Sequence, residues 1–435
     1  MTATEIDVTA ELAAWLEANW DPDLTVGEWW ERLGTAGWSA PAWPSEWFGH
    51  GLSRSDAVDA HRTISEFGAL GPPGGLGLLL AGPTIVEHGT DDQRRRYLRD
   101  IVTGQRGWCQ LFSEPGAGSD LAGLQARAVK DGDEWVVNGQ KVWTSAGQVA
   151  DLGMLIARTD PDSPKHAGIT YFALDMHQPG VDVRPLVEMT GRSLFNEVFM
   201  TDARVADDAV IGGVGNGWAV ANTTLANERA GLGAGGGSAA ASAAVPGRVM
   251  GHLERRAGDF VRGAGRRAGG GGGPGMVGRA YGLLVDLAKG NGAIDDPLIR
   301  QDLMRLHSLN EIARYTGLRQ KAARAAGRAP GPEANTAKLV MSEIVRMSRD
   351  VGLRILGPVG TLHAYRDEHR GPLAEATGNP LAAAVTELSL FSPAPSIYGG
   401  TDEIQRNIIG ERVLGLPKEP GPDKRTPFKD LPRNG

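Results

Sequence analysis

The sequence has little cysteine, no long apolar run and no excess of basic residues. Its 435 residues include a single cysteine, Cys109, which excludes a disulfide framework and a cysteine-rich metal site. No apolar stretch reaches the roughly 20 residues of a membrane-spanning helix. Residues 1–7 lack the basic start and apolar core of a signal peptide. The net charge of -7 argues against nucleic acid or an anionic membrane as the main partner, and we expect a cytoplasmic protein.

The chain does have the composition of a globular protein with two or three domains. Hydrophobic residues make up 41% of it and charged residues 22%. Residues 1–106 show helical periodicity, whereas residues 107–214 contain short β-type runs separated by Asp-Gly, Asn-Gly and Pro-Gly turns. Strands that follow one another without intervening helices predict an antiparallel barrel or sandwich. Residues 215–435 are helical again, so we predict three domains with these boundaries.

A glycine-rich insertion interrupts the last domain between about residues 231 and 292. Each glycine disfavours a continuous helix by about 1 kcal/mol relative to alanine. We therefore expect a flexible loop here.

Two short segments about 20 residues apart are the most informative part of the sequence. Residues 111–120 read LFSEPGAGSD, and residues 138–147 read NGQKVWTSAG. Each alone is typical of a turn-rich loop. In this order and at this spacing they closely resemble the flavin-facing segments of the acyl-CoA dehydrogenase family, and the run EIQRNII at residues 403–409 strengthens the match. The resemblance covers essentially the whole chain except the insertion. It implies an α+β fold with an N-terminal α domain, a middle antiparallel β domain and a C-terminal four-helix bundle.

The resemblance implies a non-covalently bound FAD. By position within the two segments, six residues would contact the isoalloxazine ring: Gln110, Phe112, Ser113, Trp143, Thr144 and Ser145. Trp143 would offer a flat stacking surface, although taken alone it would be assigned to the core of the β domain. In the family the C-terminal turn approaches the FAD pyrophosphate and adenine, which assigns Gly400, Thr401 and Glu403 to the cofactor. Glycines before a helix N-terminus suit a phosphate, but acidic residues in a first helical turn need no ligand.

An acyl-CoA substrate is also implied by the resemblance. In the family, CoA-linked acyl chains enter at the turn matched by residues 116–119, so Ser119 would hydrogen-bond the pantetheine arm or merely stabilise the turn. The remaining substrate contacts would come from Arg229, Tyr398 and Gly399. The product would be a trans-2-enoyl-CoA with a long, branched or bulky acyl chain. Electrons would leave through an electron-transferring flavoprotein.

The catalytic base is displaced from its usual position. The family's C-terminal motif reads Tyr-Glu-Gly-Thr, with glutamate as the base, but residues 398–401 read YGGT. Abstraction of the α-proton needs a carboxylate in an apolar pocket, where desolvation raises its pKa toward working pH. Glu228 lies on the apolar face of a predicted helix, and its surroundings resemble isovaleryl-CoA and long-chain acyl-CoA dehydrogenases, which keep the base on this helix. We assign Glu228 as the base; a structural ion pair with Arg229 is the alternative.

Two segments depart from the family pattern. The family's Arg-x-x-Phe-Gly segment is not found, and its Gln-x-x-Gly-Gly segment appears as RILGP at residues 354–358. Arg354 and Gly357 are therefore the candidates for contact with the FAD of a partner subunit. We expect a homodimer or homotetramer, or a hetero-oligomer in which a sister chain completes the site. Two other functions stay open, namely a flavin oxidase related to nitroalkane oxidase and a non-catalytic partner subunit.

Overall fold

The computed structural model describes residues 7–233, 243–261, 280–325, 335–418 and 425–432. None of the described helices has an apolar stretch long enough to cross a bilayer.

The N-terminal region is a cluster of helices packed around tryptophan side chains. Its helices are α1 (Val8–Asn19), α2 (Val26–Thr35), α3 (Arg54–Phe67), α4 (Gly82–His88) and α5 (Asp91–Val102). Capping boxes begin α2 and α5, where a threonine side chain and the glutamate or glutamine three residues later satisfy each other's backbone N–H groups. Trp29 and Trp30 are fully buried, and their indole N–H groups donate to the carbonyl oxygens of Leu70 and Gly71. The indole donors of these two buried tryptophans are thus paired within the apolar core.

The middle region of the described chain is an eight-stranded sheet. Its strands are β1 (Trp108–Leu111), β2 (Arg127–Asp131), β3 (Glu134–Ser145), β4 (Leu152–Arg158), β5 (Ile169–Asp175), β6 (Val181–Leu186), β7 (Phe195–Ala206) and β8 (Val210–Ile211). The strand order is β6-β7-β3-β2-β4-β5-β8, with β1 joined to β4. Most pairs are antiparallel, as predicted, but β1 and β2 both pair with β4 in parallel. Every residue of β4 is buried, so both faces of the sheet are covered there.

The C-terminal region is helical. Its described helices are α6 (Gly217–Gly233), α7 (Ala280–Gly290), α8 (Pro297–Ala325), α9 (Asn335–Leu356), α10 (Arg370–Thr377), α11 (Ala382–Phe391) and α12 (Asp402–Arg412). Leu284, Leu303, Val351 and Val385 bring α7, α8, α9 and α11 into one apolar core. The helix α6 is placed differently, because its Val220 is buried in the core of the β domain. This position brings α6 beside the strands that carry the first motif segment.

Part of the predicted insertion is packed against the N-terminal helices. The N–H of Val26 donates to the Arg255 carbonyl, and the N–H of Ala257 donates to the Leu24 carbonyl. Ala257 and Phe260 are buried against the tryptophan cluster. The expectation of a flexible loop is therefore wrong for residues 243–261 and for α7. The glycine runs at 235–237 and 269–273 lie outside the described residues.

Candidate active site

The two motif segments lie side by side at the end of β1 and along β3. The Val142 N–H donates to the Ser113 carbonyl oxygen at 2.9 Å. The Lys141 amine is completely buried, with 0% exposure, and donates to the Phe112 carbonyl oxygen at 2.9 Å. The structure thus brings Phe112 and Ser113 next to the segment that carries Trp143.

A buried ion pair fixes this junction. The Lys141 Nζ atom lies 2.8 Å from Glu114 Oε1. The same carboxylate accepts hydrogen bonds from the N–H groups of Gln125 at 2.6 Å and Ala126 at 2.9 Å. Burial lowers the pKa of the Lys141 amine, and the charge of Glu114 opposes that shift. Sequence reasoning missed both residues, although both lie within the two motif segments.

A β-bulge exposes Trp143. The register of β3 against β7 shifts between Lys141 and Thr144. Trp143 lies within this bulge with φ 61°, a left-handed conformation that is rare for a bulky residue, and its side chain is 56% exposed. Its ring meets Phe195 edge-on, with the ring centroids 5.7 Å apart. An indole held outward at a strained position is available to stack on a ligand.

Unpaired donors lie next to this aromatic surface. The backbone N–H groups of Phe112 and Ser113 have no acceptor in the described part of the chain. The hydroxyl of Thr144 is buried and also has no partner among the described residues. A flat heteroaromatic ring with hydrogen-bond acceptors, such as isoalloxazine, would satisfy such donors, so these residues fit FAD. The Phe112 side chain packs edge-on against Tyr171 in the core, so the predicted contact of this residue with the cofactor would be made by its backbone N–H.

Glu228 lies beside the first motif segment. The Gln110 side-chain amide donates to Glu228 Oε2 at 3.4 Å, although the two residues are 118 positions apart. The helix α6 that carries Glu228 is held in place by a buried hydroxyl pair, Thr84 and Thr224, at 2.9 Å. Tyr171 on β5 extends this pair through its own hydroxyl. The half-buried carboxylate therefore projects from a fixed helix toward β1.

Ser119 is another predicted substrate residue, and it belongs to the first motif segment. Ser119 is exposed in the turn before β2. Its neighbour Asp120 pairs with Lys165 at 2.5 Å. The side chain of Arg229 lies outside the described residues, so its predicted role is not addressed by the structure.

The C-terminal turn is built from glycines in left-handed conformations. Gly399 has φ 63° and Gly400 has φ 81°, which L side chains rarely adopt. Thr401 caps α12 by accepting from the Ile404 N–H at 3.2 Å. Tyr398 is half-buried beside Phe391, with the ring centroids 6.4 Å apart. Within the described residues no hydrogen bond joins this turn to the two motif segments.

Asp402 anchors the turn to α9. Its carboxylate is nearly buried, with 3% exposure. It accepts from Lys338 Nζ at 3.0 Å, Ser342 Oγ at 2.8 Å and Arg346 Nη1 at 3.1 Å. Burial alone would raise the pKa of Asp402, but these three donors outweigh burial and hold it below its usual value. The neighbouring Glu403 is exposed and pairs only with Arg406 at the surface, at 3.3 Å.

The remaining cofactor candidates lie at the C-terminal end of α9. Arg354 is exposed and forms an ion pair with Asp302 of α8. Gly357 is exposed just after α9, with φ 57°. A polar cavity of about 180 Å³ lies nearby, between the β6–β7 loop and the C-terminal helices. In its wall, buried Glu387 is 2.7 Å from Arg192 of that loop and joins the β domain to the helices.

Comparison with known proteins matches most of the chain. Models of the acyl-CoA dehydrogenase N-terminal, middle and C-terminal domains match residues 4–105, 109–203 and 263–414. The acyl-CoA dehydrogenase IpdE1 of Mycobacterium tuberculosis is 36% identical over 399 residues, covering 90% of this chain and 88% of that protein.

Solved structures agree with the sequence comparison. The Tcur3481-Tcur3483 steroid ACAD superimposes with a TM-score of 0.67 at 26% identity, covering 95% of this chain and 97% of that one. The ChsE4-ChsE5 complex from Mycobacterium tuberculosis gives 0.65 at 26% identity, covering 96% and 100%. The chain therefore belongs to the acyl-CoA dehydrogenase family.

Proposed function

We propose that this protein removes the α-proton and β-hydride of an acyl-CoA thioester to form a trans-2-enoyl-CoA, with Glu228 as the base. Members of this family are FAD-dependent oxidoreductases, and bound FAD supplies the hydride acceptor. The observation that carries the proposal is the contact between Gln110 and Glu228, 3.4 Å apart. This contact places a half-buried carboxylate beside the segment whose unpaired backbone donors fit the flavin.

The surroundings of Glu228 support a role in proton transfer. Its helix is held by buried hydroxyl groups, so the carboxylate has a defined position relative to β1. The Gln110 amide donates to the carboxylate at 3.4 Å, and a positioned carboxylate is a general base that accepts a proton. Gly399 cannot compete for the proton because it has no side chain. These features support proton abstraction by a residue of α6 rather than by the C-terminal turn.

For the substrate we propose a long, branched or bulky acyl chain, including ring-bearing chains. Gly399 replaces the glutamate side chain of the common family motif, and this substitution leaves more room beside the reacting carbon. The similar structure Tcur3481-Tcur3483 is described as a steroid ACAD, which supports a bulky acyl group.

For the partners we propose an assembly with a second, related chain and an electron-transferring flavoprotein as electron acceptor in the cytoplasm. Similar structures include complexes of two different chains. Arg354, the candidate for contact with another subunit's FAD, is instead paired with Asp302 of its own chain.

Replacement of Glu228 by glutamine tests the assignment. Glu228→Gln keeps the shape of the side chain but removes its basicity, so anaerobic flavin reduction by an acyl-CoA should slow by about 10²–10⁴-fold. The flavin absorbance spectrum and content should stay unchanged. The matched control is Glu197→Gln, because Glu197 also accepts from a glutamine side chain, Gln140 Nε2 at 2.9 Å, but lies on β7. It should leave the reduction rate within about twofold.

Two results would point elsewhere. Near-normal flavin reduction in a folded Glu228→Gln protein would remove Glu228 as the base. Absence of flavin bands from the purified wild-type assembly would favour the non-catalytic subunit, a function to which the departures at residues 354–358 also point. A panel of acyl-CoAs with an artificial electron acceptor would then define the acyl group of the active assembly.

A further inference from the structure

The burial of the Lys141 amine is not explained by a gain in stability alone. Its amine is buried at 0% exposure, between the carbonyl oxygen of Phe112 at 2.9 Å and the carboxylate of Glu114 at 2.8 Å. Removing an ammonium group from water is costly, and an apolar pair of similar volume is often as stable as a buried ion pair. A lysine at this position therefore calls for a further role.

The contact with Phe112 has a geometric consequence for the next residue. The Phe112 carbonyl and the Ser113 N–H belong to the same peptide unit, and the described chain contains no cis peptide bond. In a trans peptide these two groups point in opposite directions. Because Lys141 holds the carbonyl on the buried side, the Ser113 N–H is aimed away from the core. That N–H has no acceptor among the described residues.

The following peptide unit is fixed as well. The Ser113 carbonyl accepts from the Val142 N–H at 2.9 Å, and the Glu114 N–H donates to the Ala117 carbonyl at 3.1 Å. The Ser113 N–H thus remains as an outward donor on the first of two constrained peptide units, beside the exposed Trp143. This arrangement is expected of a donor that is oriented before its ligand arrives.

We propose that Lys141 is a positioning residue that orients the Ser113 N–H as a hydrogen-bond donor to FAD. The ammonium also polarises the amide through the Phe112 carbonyl, which strengthens the donor. Glu114 keeps the amine in place and compensates its charge, and its own oxygens are satisfied by two backbone N–H groups. The proposal rests on FAD binding by this chain and does not depend on Glu228 being the base.

The first test is the affinity of the FAD-stripped protein for FAD. Lys141→Met fills a similar volume without donating a hydrogen bond, and it should weaken FAD binding about tenfold, as expected for one well-oriented hydrogen bond. It should also shift the visible absorbance bands of the bound flavin. The matched control is Lys165→Met, because Lys165 pairs with Asp120, the last residue of the first motif segment, and has no hydrogen bond to Phe112 or Ser113 among the described residues. This control should leave both affinity and spectrum unchanged.

A double variant covers the case in which Lys141→Met fails to fold. Lys141→Met/Glu114→Gln removes both buried charges and avoids an uncompensated carboxylate. It should show the same tenfold loss of FAD affinity. A folded single or double variant that binds FAD with wild-type affinity and spectrum, at a reduced melting temperature, would overturn the proposal in favour of a structural role.

Amide hydrogen exchange in the wild-type protein gives a readout that needs no variant. The Ser113 N–H should exchange at least about tenfold more slowly with FAD bound than in the FAD-stripped protein, because it then has an acceptor. Equal exchange rates in the two states would refute the proposal even if both variants failed to fold. The hydrogen-exchange result does not depend on whether Glu228→Gln slows flavin reduction. The role of Lys141 and the role of Glu228 can therefore be refuted independently.

Discussion

The carboxylate of Asp402 should stabilise the C-terminal helices far more than its surface neighbours do. It is nearly buried and accepts from Lys338, Ser342 and Arg346. Hydrogen bonds to charged groups contribute about 1.5–3 kcal/mol each. Asparagine keeps one acceptor oxygen but loses the charge, and Arg346 is 34% exposed, which weakens its part of the interaction through solvent screening. We expect Asp402→Asn to lower the free energy of unfolding by about 2–3 kcal/mol at pH 7.

Urea denaturation followed by circular dichroism would measure this loss in the FAD-stripped protein. The control is Glu343→Gln, since Glu343 binds the same Arg346 at 2.8 Å but is half exposed. An exposed pair contributes about 0–1 kcal/mol, so this variant should be affected little. Equal losses in the two variants would show that burial and the three donors of Asp402 are not the cause.

The pH dependence gives an independent check. The pKa of Asp402 is held below its usual value in the folded protein, so its stabilising contribution is present above the unfolded-state pKa of about 3.9. That contribution is lost as pH falls through the folded-state pKa. The stability difference between wild type and Asp402→Asn should therefore be full at pH 7 and shrink below about pH 4. A difference that persisted unchanged at pH 2.5 would refute the reasoning.

Two further outcomes concern the flavin-facing strands. Burial raises the pKa of the Cys109 thiol to about 12, so a thiol reagent at pH 8 should react with this cysteine only after denaturant is added. Rapid labelling of the native protein would contradict the burial of the thiol. Trp143→Gly should raise the melting temperature of the FAD-stripped protein slightly, because glycine accepts φ 61° without strain. The same variant should weaken FAD binding in a titration, and unchanged affinity would argue against stacking on this indole.

The sequence identified the family and the order of the three regions. These inferences rest on local signals, because each motif segment is a continuous run of ten residues that carries its own turn and strand residues. It also placed Glu228 on a helix, and the structure brings that helix next to Gln110. The role of Glu228 as base, and the roles of the other site residues, remain predictions.

Burial of Lys141 could not be read from the alternation of side chains along β3. Strict alternation would place Lys141 and Trp143 on the same face of the sheet. The bulge between Lys141 and Thr144 breaks that alternation, so the charged side chain points inward and the aromatic one outward. The partner of Lys141, Glu114, lies 27 positions away, in a segment whose turn residues gave no indication of burial.

The packing of residues 243–261 could not be predicted from the sequence for a different reason. The glycine runs on both sides dominate the local composition and indicate a loop. The side chains that pack, such as Ala244 and Phe260, are too few and too widely spaced to produce a periodic pattern.

The contact between this segment and the N-terminal helices also bears on how the chain folds during synthesis. Asp23 and its ion-pair partner Arg256 are 233 positions apart. At a translation rate of about 5–20 residues per second, the helices before Asp23 and around Trp29 wait on the order of 10 to 50 seconds for the residues that complete their core. During that interval their tryptophan surface is open to chaperones and to other chains. An expression fragment that stopped before residue 243 would keep that surface open permanently, and it should aggregate rather than behave as an independent domain.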